Sequence, residues 1–163
     1  AERSELLMEG MHMIMRNPVY GVGYDRFTDH SPLTAHNSYM LAISETGIPG
    51  YFMFMLIVYM SVKIPVMVLK RYGHMPEAKI ANIYAMMMVA SLVSACIGSF
   101  FLSFTYHHAL WILLGFSGAL HTATKRHDPT FEVKVSLQEK LLVLTGALGI
   151  IAVLRLVLKS KGF

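Results

Sequence analysis

Apolar residues dominate the chain from about residue 48 onwards, in long blocks separated by short polar segments. Residues 80–124 contain no Asp, Glu, Lys or Arg. As one helix this stretch would be about 67 Å long, whereas a bilayer core is about 30 Å thick, so it must cross, turn within 103–108 and cross back. The pattern therefore predicts an all-α, polytopic integral membrane protein. The predicted membrane helices are 48–69, 80–102, 106–124 and a weaker candidate, 141–158, which follows a loop over 125–140.

Two of these blocks contain residues that interrupt the apolar pattern. Lys63 and Pro65 lie near one end of 48–69, and we expect the Lys63 ammonium to extend to the membrane interface at that end. Arg155 lies inside 141–158. That block therefore has two interpretations: it either crosses the membrane or lies along its surface.

Residues 1–47 form the polar part of the chain, for which we predict two short helices. The first helix has apolar residues at helical spacing and ends before Asn17-Pro18, because a residue that precedes proline disfavours the helical conformation. The second helix begins at Asn37, a good N-cap residue, and ends at Gly47, a good C-terminal residue. The apolar positions of the first helix are Leu7, Met11, Ile14 and Met15.

Composition limits the function classes and predicts the orientation. Hydrophobic residues make up 55% of the chain and charged residues only 15%, against roughly 25% in soluble domains, which excludes a soluble enzyme. The net charge of +4 lies beside apolar segments and forms no basic stripe, so we expect membrane lipids and no nucleic acid as partners. Lys and Arg are concentrated in 63–79 and 124–140. The positive-inside rule places these two segments in the cytoplasm and 1–47 outside.

The cysteine count and the first residues add two expectations. Cys96 is the single cysteine, so neither an intrachain disulfide nor a cysteine-based metal cluster can form. The chain opens on Ala1-Glu2-Arg3, with no initiator Met and no basic segment typical of a signal peptide. These features predict a fragment of a longer protein.

The most informative run of residues is 35–50. His36-Asn37 is followed, after nine residues, by Gly47 and then Gly50. Upstream, Arg3 and Leu7 form an Arg-x-x-x-Leu element. The segment 17–23, followed by Phe27, connects this element to the run 35–50. Together, these elements resemble the C-terminal portion of the O-antigen ligase family, membrane glycosyltransferases of bacteria.

The resemblance implies a reaction, a location and partners. Family members transfer a glycan from undecaprenyl diphosphate to a hydroxyl of lipid A-core, of another glycan or of a protein, as in lipopolysaccharide biosynthesis. They act at the periplasmic face of the inner membrane and need no metal or other cofactor. Family members are longer, so the remainder of a full-length ligase is a further expected partner.

The residue chemistry suits this reaction. A base near the acceptor hydroxyl is needed, and His36 is the candidate catalytic base because histidine exchanges protons near neutral pH. Arg3 is the second candidate catalytic residue, because a guanidinium binds phosphate oxygens through two parallel hydrogen bonds. Asn37, Arg16 and Arg26 are candidate substrate-binding residues.

Plainer alternatives stand beside each role. Asn37 is equally explained as a helix cap, Arg3 as a partner of a neighbouring glutamate, and Arg16 and Arg26 as anchors to lipid phosphates. Glu45 is a second acid or base, or simply a helix-end carboxylate. His107-His108 is expected to have an interfacial role. For the whole protein, the alternatives are a glycan repeat-unit polymerase of the same family and a non-enzymatic membrane scaffold or transporter subunit.

Overall fold

The structure, a computed structural model, describes residues 2–160. Within that range it contains helices and no strands, which confirms the predicted all-α class. Single-turn 3₁₀ helices lie at Phe27–Asp29 and Pro76–Ala78. The α-helices are α1 (Glu2–Arg16), α2 (Ser38–Tyr72), α3 (Lys79–Gly98), α4 (His108–His127) and α5 (Leu137–Ser160).

Three helical segments of the described chain are long and apolar enough to cross a membrane. They are Ser38–Tyr72, Pro76–Gly98 and Leu137–Ser160. The block 106–124, which the sequence pattern predicts as a span, corresponds to α4 and is not among them. Helix α4 begins at His108, contains His121 and ends in a basic turn, and these polar residues lower its mean hydropathy.

Helix α2 is the central element, and α4 and α5 both lie along it. Ser117 Oγ of α4 donates a hydrogen bond to the Ser61 carbonyl oxygen at 2.7 Å. Tyr59 Oη of α2 donates to Glu139 near the start of α5 at 2.6 Å, and the end of α5 lies beside α1. Helix α5 therefore runs the length of the bundle, antiparallel to α2. The block 141–158 lies within α5, one of the helices long and apolar enough to cross a membrane.

The residues that interrupt 48–69 are both accommodated within α2. Pro65 has no N–H for the Ser61 carbonyl four residues earlier, and Ser117 Oγ supplies the missing donor. The Lys63 ammonium pairs with the Glu139 carboxylate and donates to the Lys134 carbonyl at 2.6 Å. Lys63 thus joins α2 to the start of α5. The sequence predicts only that its ammonium extends to the membrane interface, and not this contact.

The connections fall at two opposite ends of the bundle. At one end, Arg71 of α2 pairs with Asp128 of the α4–α5 connection at 2.6 Å. At the other end, the α3–α4 connection over 99–107 contacts the start of α2, and α1 packs on the same part of α2. Arg3, His36 and Asn37 lie at this second end.

Candidate functional site

The structure brings Arg3 and His36 together although 33 residues separate them in the sequence. Arg3 lies in the first turn of α1, and His36 directly precedes the N-cap of α2. Arg3 Nη2 donates to the His36 carbonyl oxygen at 3.2 Å and to the Phe100 carbonyl oxygen at 2.7 Å. One guanidinium therefore holds together α1, the entry to α2 and the α3–α4 connection.

Arg3 and His36 share a cleft of about 280 Å³, which opens at the surface. His36 has a positive φ of 47°, a left-handed conformation that non-glycine residues adopt infrequently and that concentrates at functional sites. Both residues are exposed, and the Arg3 guanidinium lies 5.1 Å from the centre of the Phe101 ring. The cleft thus combines an imidazole and a cation with an apolar wall. The lining residues are Arg3, Leu6, Leu33, His36 and Phe101.

Asn37 is only 2% exposed and uses both ends of its amide within the protein. Its Oδ1 accepts from the Met40 N–H at 2.9 Å, which caps α2. Its Nδ2 donates to the Phe100 carbonyl oxygen at 3.1 Å. This geometry favours the helix-cap interpretation of Asn37 over direct substrate contact. The residue still shapes the site, because it shares the Phe100 carbonyl with Arg3.

Ser38 fixes the α3–α4 connection against the start of α2. Its N–H donates to the Ser99 carbonyl at 2.7 Å, and its carbonyl accepts from Thr105 Oγ1 at 2.8 Å. Its hydroxyl donates to the Leu102 carbonyl at 2.6 Å and accepts from the Phe104 N–H at 2.7 Å. Ser38 is fully buried. These four hydrogen bonds position the α3–α4 connection, which contributes Phe101 to the wall of the cleft.

Sequence reasoning did not identify the residues of this wall. The hydropathy pattern places Phe100 and Phe101 in the span 80–102, whereas α3 ends at Gly98 and both phenylalanines belong to the connection. Phe100 contributes to the site through its backbone carbonyl, which no side-chain motif reveals. Ser38 lies directly after the His36-Asn37 pair, and that position is the only sequence signal that pointed to it.

The other end of the short helix over 38–46 holds the connecting loop. At Gly47, α2 changes direction with φ 68° and ψ −174°. Pro49 has no N–H for the Glu45 carbonyl, which accepts instead from the Gly23 N–H at 3.0 Å. The Ile48 N–H donates to the Pro18 carbonyl at 2.8 Å. The Gly47 bend therefore frees backbone groups that bind the loop after α1.

The glycines of this loop permit the close approach. A Cβ on Gly21, whose φ is +66°, would lie 2.4 Å from the Glu45 carbonyl carbon. A Cβ on Gly47 would lie 2.2 Å from the Val19 carbonyl oxygen. The two segments that carry the family resemblance, 17–23 and 35–50, are thus in direct backbone contact.

Glu45 is buried and serves as an anchor for the loop. Its carboxylate accepts the backbone N–H groups of Asp25 at 3.1 Å and Phe27 at 2.8 Å. Tyr106 lies nearby, and burial raises the pKa of its hydroxyl, with Glu45 adding to the effect. The geometry favours a positioning role for Glu45 and gives no indication of proton transfer.

Arg16 and Arg26 do not reach the cleft between Arg3 and His36. Arg16 is the last residue of α1, about 20 Å along the helix axis from Arg3 at 1.5 Å per residue. Arg26 lies in the loop that Glu45 anchors, at the Gly47 end of the short helix. Both side chains are exposed. The structure therefore separates these two candidates from Arg3 and His36.

His107 caps the start of α4. Its Nδ1 accepts from the Ala109 N–H at 3.2 Å, and His108 beside it is exposed. Among the described residues, no group of three or more His, Cys, Asp or Glu could hold a metal ion.

Comparisons with known proteins do not extend this picture. No family model, no curated protein and no solved structure matches the chain.

Proposed function

We propose that this chain is the C-terminal part of a bacterial inner-membrane glycosyltransferase resembling the O-antigen ligases. It transfers a glycan from undecaprenyl diphosphate to an acceptor hydroxyl at the periplasmic face. The observation that carries the proposal is the shared cleft of Arg3 and His36. These residues belong to two separate elements of the family pattern, and the fold brings them together.

In the proposed reaction, the His36 imidazole removes the proton of the acceptor hydroxyl. The acceptor oxygen forms a bond to the anomeric carbon of the glycan as the bond from that carbon to the diphosphate oxygen breaks, with inversion. The leaving group is undecaprenyl diphosphate, which gains negative charge. Arg3 stabilises this charge, because a guanidinium stays protonated and binds two phosphate oxygens at once.

The helices support a membrane location. Three helical segments meet the length and hydropathy needed to cross a bilayer, and their connections group at two ends. Arg3 and His36 lie at the end opposite the Lys70–Lys79 connection. In the proposed orientation, basic connections face the cytoplasm and the cleft faces the periplasm, where lipid-linked glycans are used.

The test is replacement of His36 in the full-length protein by residues that keep its backbone conformation. His36→Asn and His36→Gly both tolerate a left-handed φ, so loss of activity does not result from backbone strain. We expect normal membrane abundance, near-normal donor binding and transfer slower by a factor of about 10² to 10⁴, the usual cost of removing a general base. Transfer is followed in vitro with a lipid-diphosphate donor.

His30→Asn is the matched control, since His30 is an exposed histidine of the same loop outside the cleft. It should transfer at the wild-type rate. Wild-type transfer by His36→Asn, together with loss in His107→Asn, would move the catalytic centre to the α3–α4 connection and refute the assignment.

A further inference from the structure

A second groove lies between α1 and α5 and shares no lining residue with the Arg3–His36 cleft. Its volume is about 590 Å³, within the usual range of ligand sites. The four residues from α1, and four of the five from α5, are spaced at i, i+3, i+4 and i+7 and so share one face of their helix. The lining residues are Met8, Met11, His12 and Met15 of α1, with Ala152, Arg155, Leu156, Leu158 and Lys159 of α5.

The groove combines apolar walls with positive charge. Arg155 and Lys159 are exposed and lie one helical turn apart near the C-terminal end of α5. His12 adds an imidazole from the α1 side. No carboxylate is found among the described residues that line the groove. A ligand that fits must therefore carry both an anionic group and an apolar chain.

We propose that this groove binds one anionic phospholipid, with its phosphate between Arg155 and Lys159 and an acyl chain against the methionines. A free phosphate would use the two cations but not the walls, whereas a phospholipid uses both. Methionine suits an acyl chain because its flexible thioether adapts to irregular apolar surfaces. The groove lies at the end of an apolar helix, where basic side chains commonly meet lipid phosphates.

This inference depends on the membrane location and not on glycan transfer. Each basic residue near an anionic lipid surface contributes on the order of a factor of five in affinity. Removing both cations should therefore weaken phospholipid binding by about thirtyfold.

The experiment measures lipid binding to the purified chain in detergent by native mass spectrometry. The probes are phosphatidylglycerol, phosphatidylcholine and inorganic phosphate. We expect one phosphatidylglycerol per wild-type chain, weaker binding of phosphatidylcholine, and no competition by inorganic phosphate. Arg155→Gln/Lys159→Gln should lose about thirtyfold in affinity for phosphatidylglycerol. Met15→Gln, at an exposed groove residue, should weaken phosphatidylglycerol binding as well.

Lys125→Gln/Arg126→Gln is the charge-matched control. It removes one Lys and one Arg from the last turn of α4, where both are exposed and lie outside the α1–α5 groove. It should bind the lipid like the wild type. Equal loss of phosphatidylglycerol affinity in both double variants would mean that the net charge of the chain, and not the groove, determines binding. Competition by inorganic phosphate would show a simple anion site, and wild-type binding by the Arg155/Lys159 variant would overturn the proposal. None of these outcomes depends on whether His36 catalyses transfer.

Discussion

Arg3 is the residue at which local sequence and tertiary structure differ most in what they indicate. A solvent-exposed arginine beside glutamates is ordinarily a surface ion pair of small energetic consequence. In the fold, its Nη2 bridges the carbonyls of His36 and Phe100. A guanidinium has five N–H donors, so donors beyond those two contacts are available to an anion in the cleft.

Replacing Arg3 by Lys should behave like replacing it by Ala. An ammonium is a point charge that cannot keep both carbonyl contacts and still offer two parallel donors to a diphosphate. In the full-length protein, both variants should show a raised donor KM and a reduced kcat, measured with a lipid-diphosphate donor. Wild-type kinetics in Arg3→Ala would return this residue to the surface ion-pair interpretation.

Asp128 gives a prediction of pH dependence. Hydrogen bonds from Thr130 and Tyr72, together with the Arg71 guanidinium, lower the pKa of Asp128 to about 2. Since the unfolded chain has a carboxyl pKa of about 3.9, ionised Asp128 stabilises the folded protein above pH 4, and this contribution is lost as pH falls towards 2. Asp128→Asn should therefore lower the thermal unfolding midpoint at pH 7, and the difference from wild type should shrink as the pH falls from 4 towards 2. An unchanged difference over that range would contradict the assignment.

At the scale of elements, α2 shows how one helix accommodates features that usually end helices. Pro49 and Pro65 each leave a carbonyl without its helical donor, and a distant residue supplies a substitute in both cases. The donors are Gly23 from the loop after α1 and Ser117 from α4. Their positions depend on packing, so the sequence of α2 alone does not reveal them.

The Gly47 bend should be the least tolerant glycine position of α2. Its φ and ψ lie in a region that is essentially limited to glycine, where another residue costs about 1–3 kcal/mol. A Cβ there would also collide with the Val19 carbonyl oxygen at 2.2 Å. Gly47→Ala should lower the thermal unfolding midpoint in detergent and release the loop that Glu45 anchors.

Gly115→Ala in α4 is the control for that substitution. Its Cβ would meet nothing within 4 Å, and alanine favours a helix by about 1 kcal/mol over glycine. We expect an unchanged or raised midpoint. If Gly47→Ala unfolds at the same temperature as Gly115→Ala, the bend is not required for the fold.

At the scale of the whole molecule, the helices divide the connections between two ends. Arg71 and Asp128 meet at one end, and Arg3 and Phe100 meet at the other. The two basic connections are expected on the same side of the membrane, and in the structure they lie at the same end of the bundle. Helix α5 adds Lys159 to the cleft end, because it runs antiparallel to α2.

Single cysteines in a Cys96→Ala background should report this division. His30→Cys and Lys159→Cys should react with a membrane-impermeant thiol reagent in intact spheroplasts, whereas Met75→Cys should react only after permeabilisation. All three positions are exposed. Labelling at 75 without labelling at 30 would invert the orientation. Labelling at 30 without labelling at 159 would show that α5 does not cross.

The sequence by itself determined the helical class and the approximate positions of the helices. Hydrophobic patterning has a fixed period, and local signals such as the Asn37 cap and the glycine at the 47 bend act over a few residues, so both can be read from the sequence. The resemblance carried by His36 and Arg3 is likewise local. The hydropathy pattern treats 106–124 as a span and 141–158 as the weaker candidate, whereas α5 and not α4 is among the helices long and apolar enough to cross a membrane. In a block of marginal length, single polar residues are enough to change the mean hydropathy.

Only the tertiary structure decided which of the candidate residues meet. Arg3 and His36 are brought together by the parallel packing of α1 on the short helix over 38–46, and the same packing leaves Arg16 at the far end. The Phe100 carbonyl became part of the cleft because Ser38 fixes the α3–α4 connection. Backbone groups carry no sequence signature, and contacts between distant segments depend on how helices pack, so no pattern along the chain specifies them.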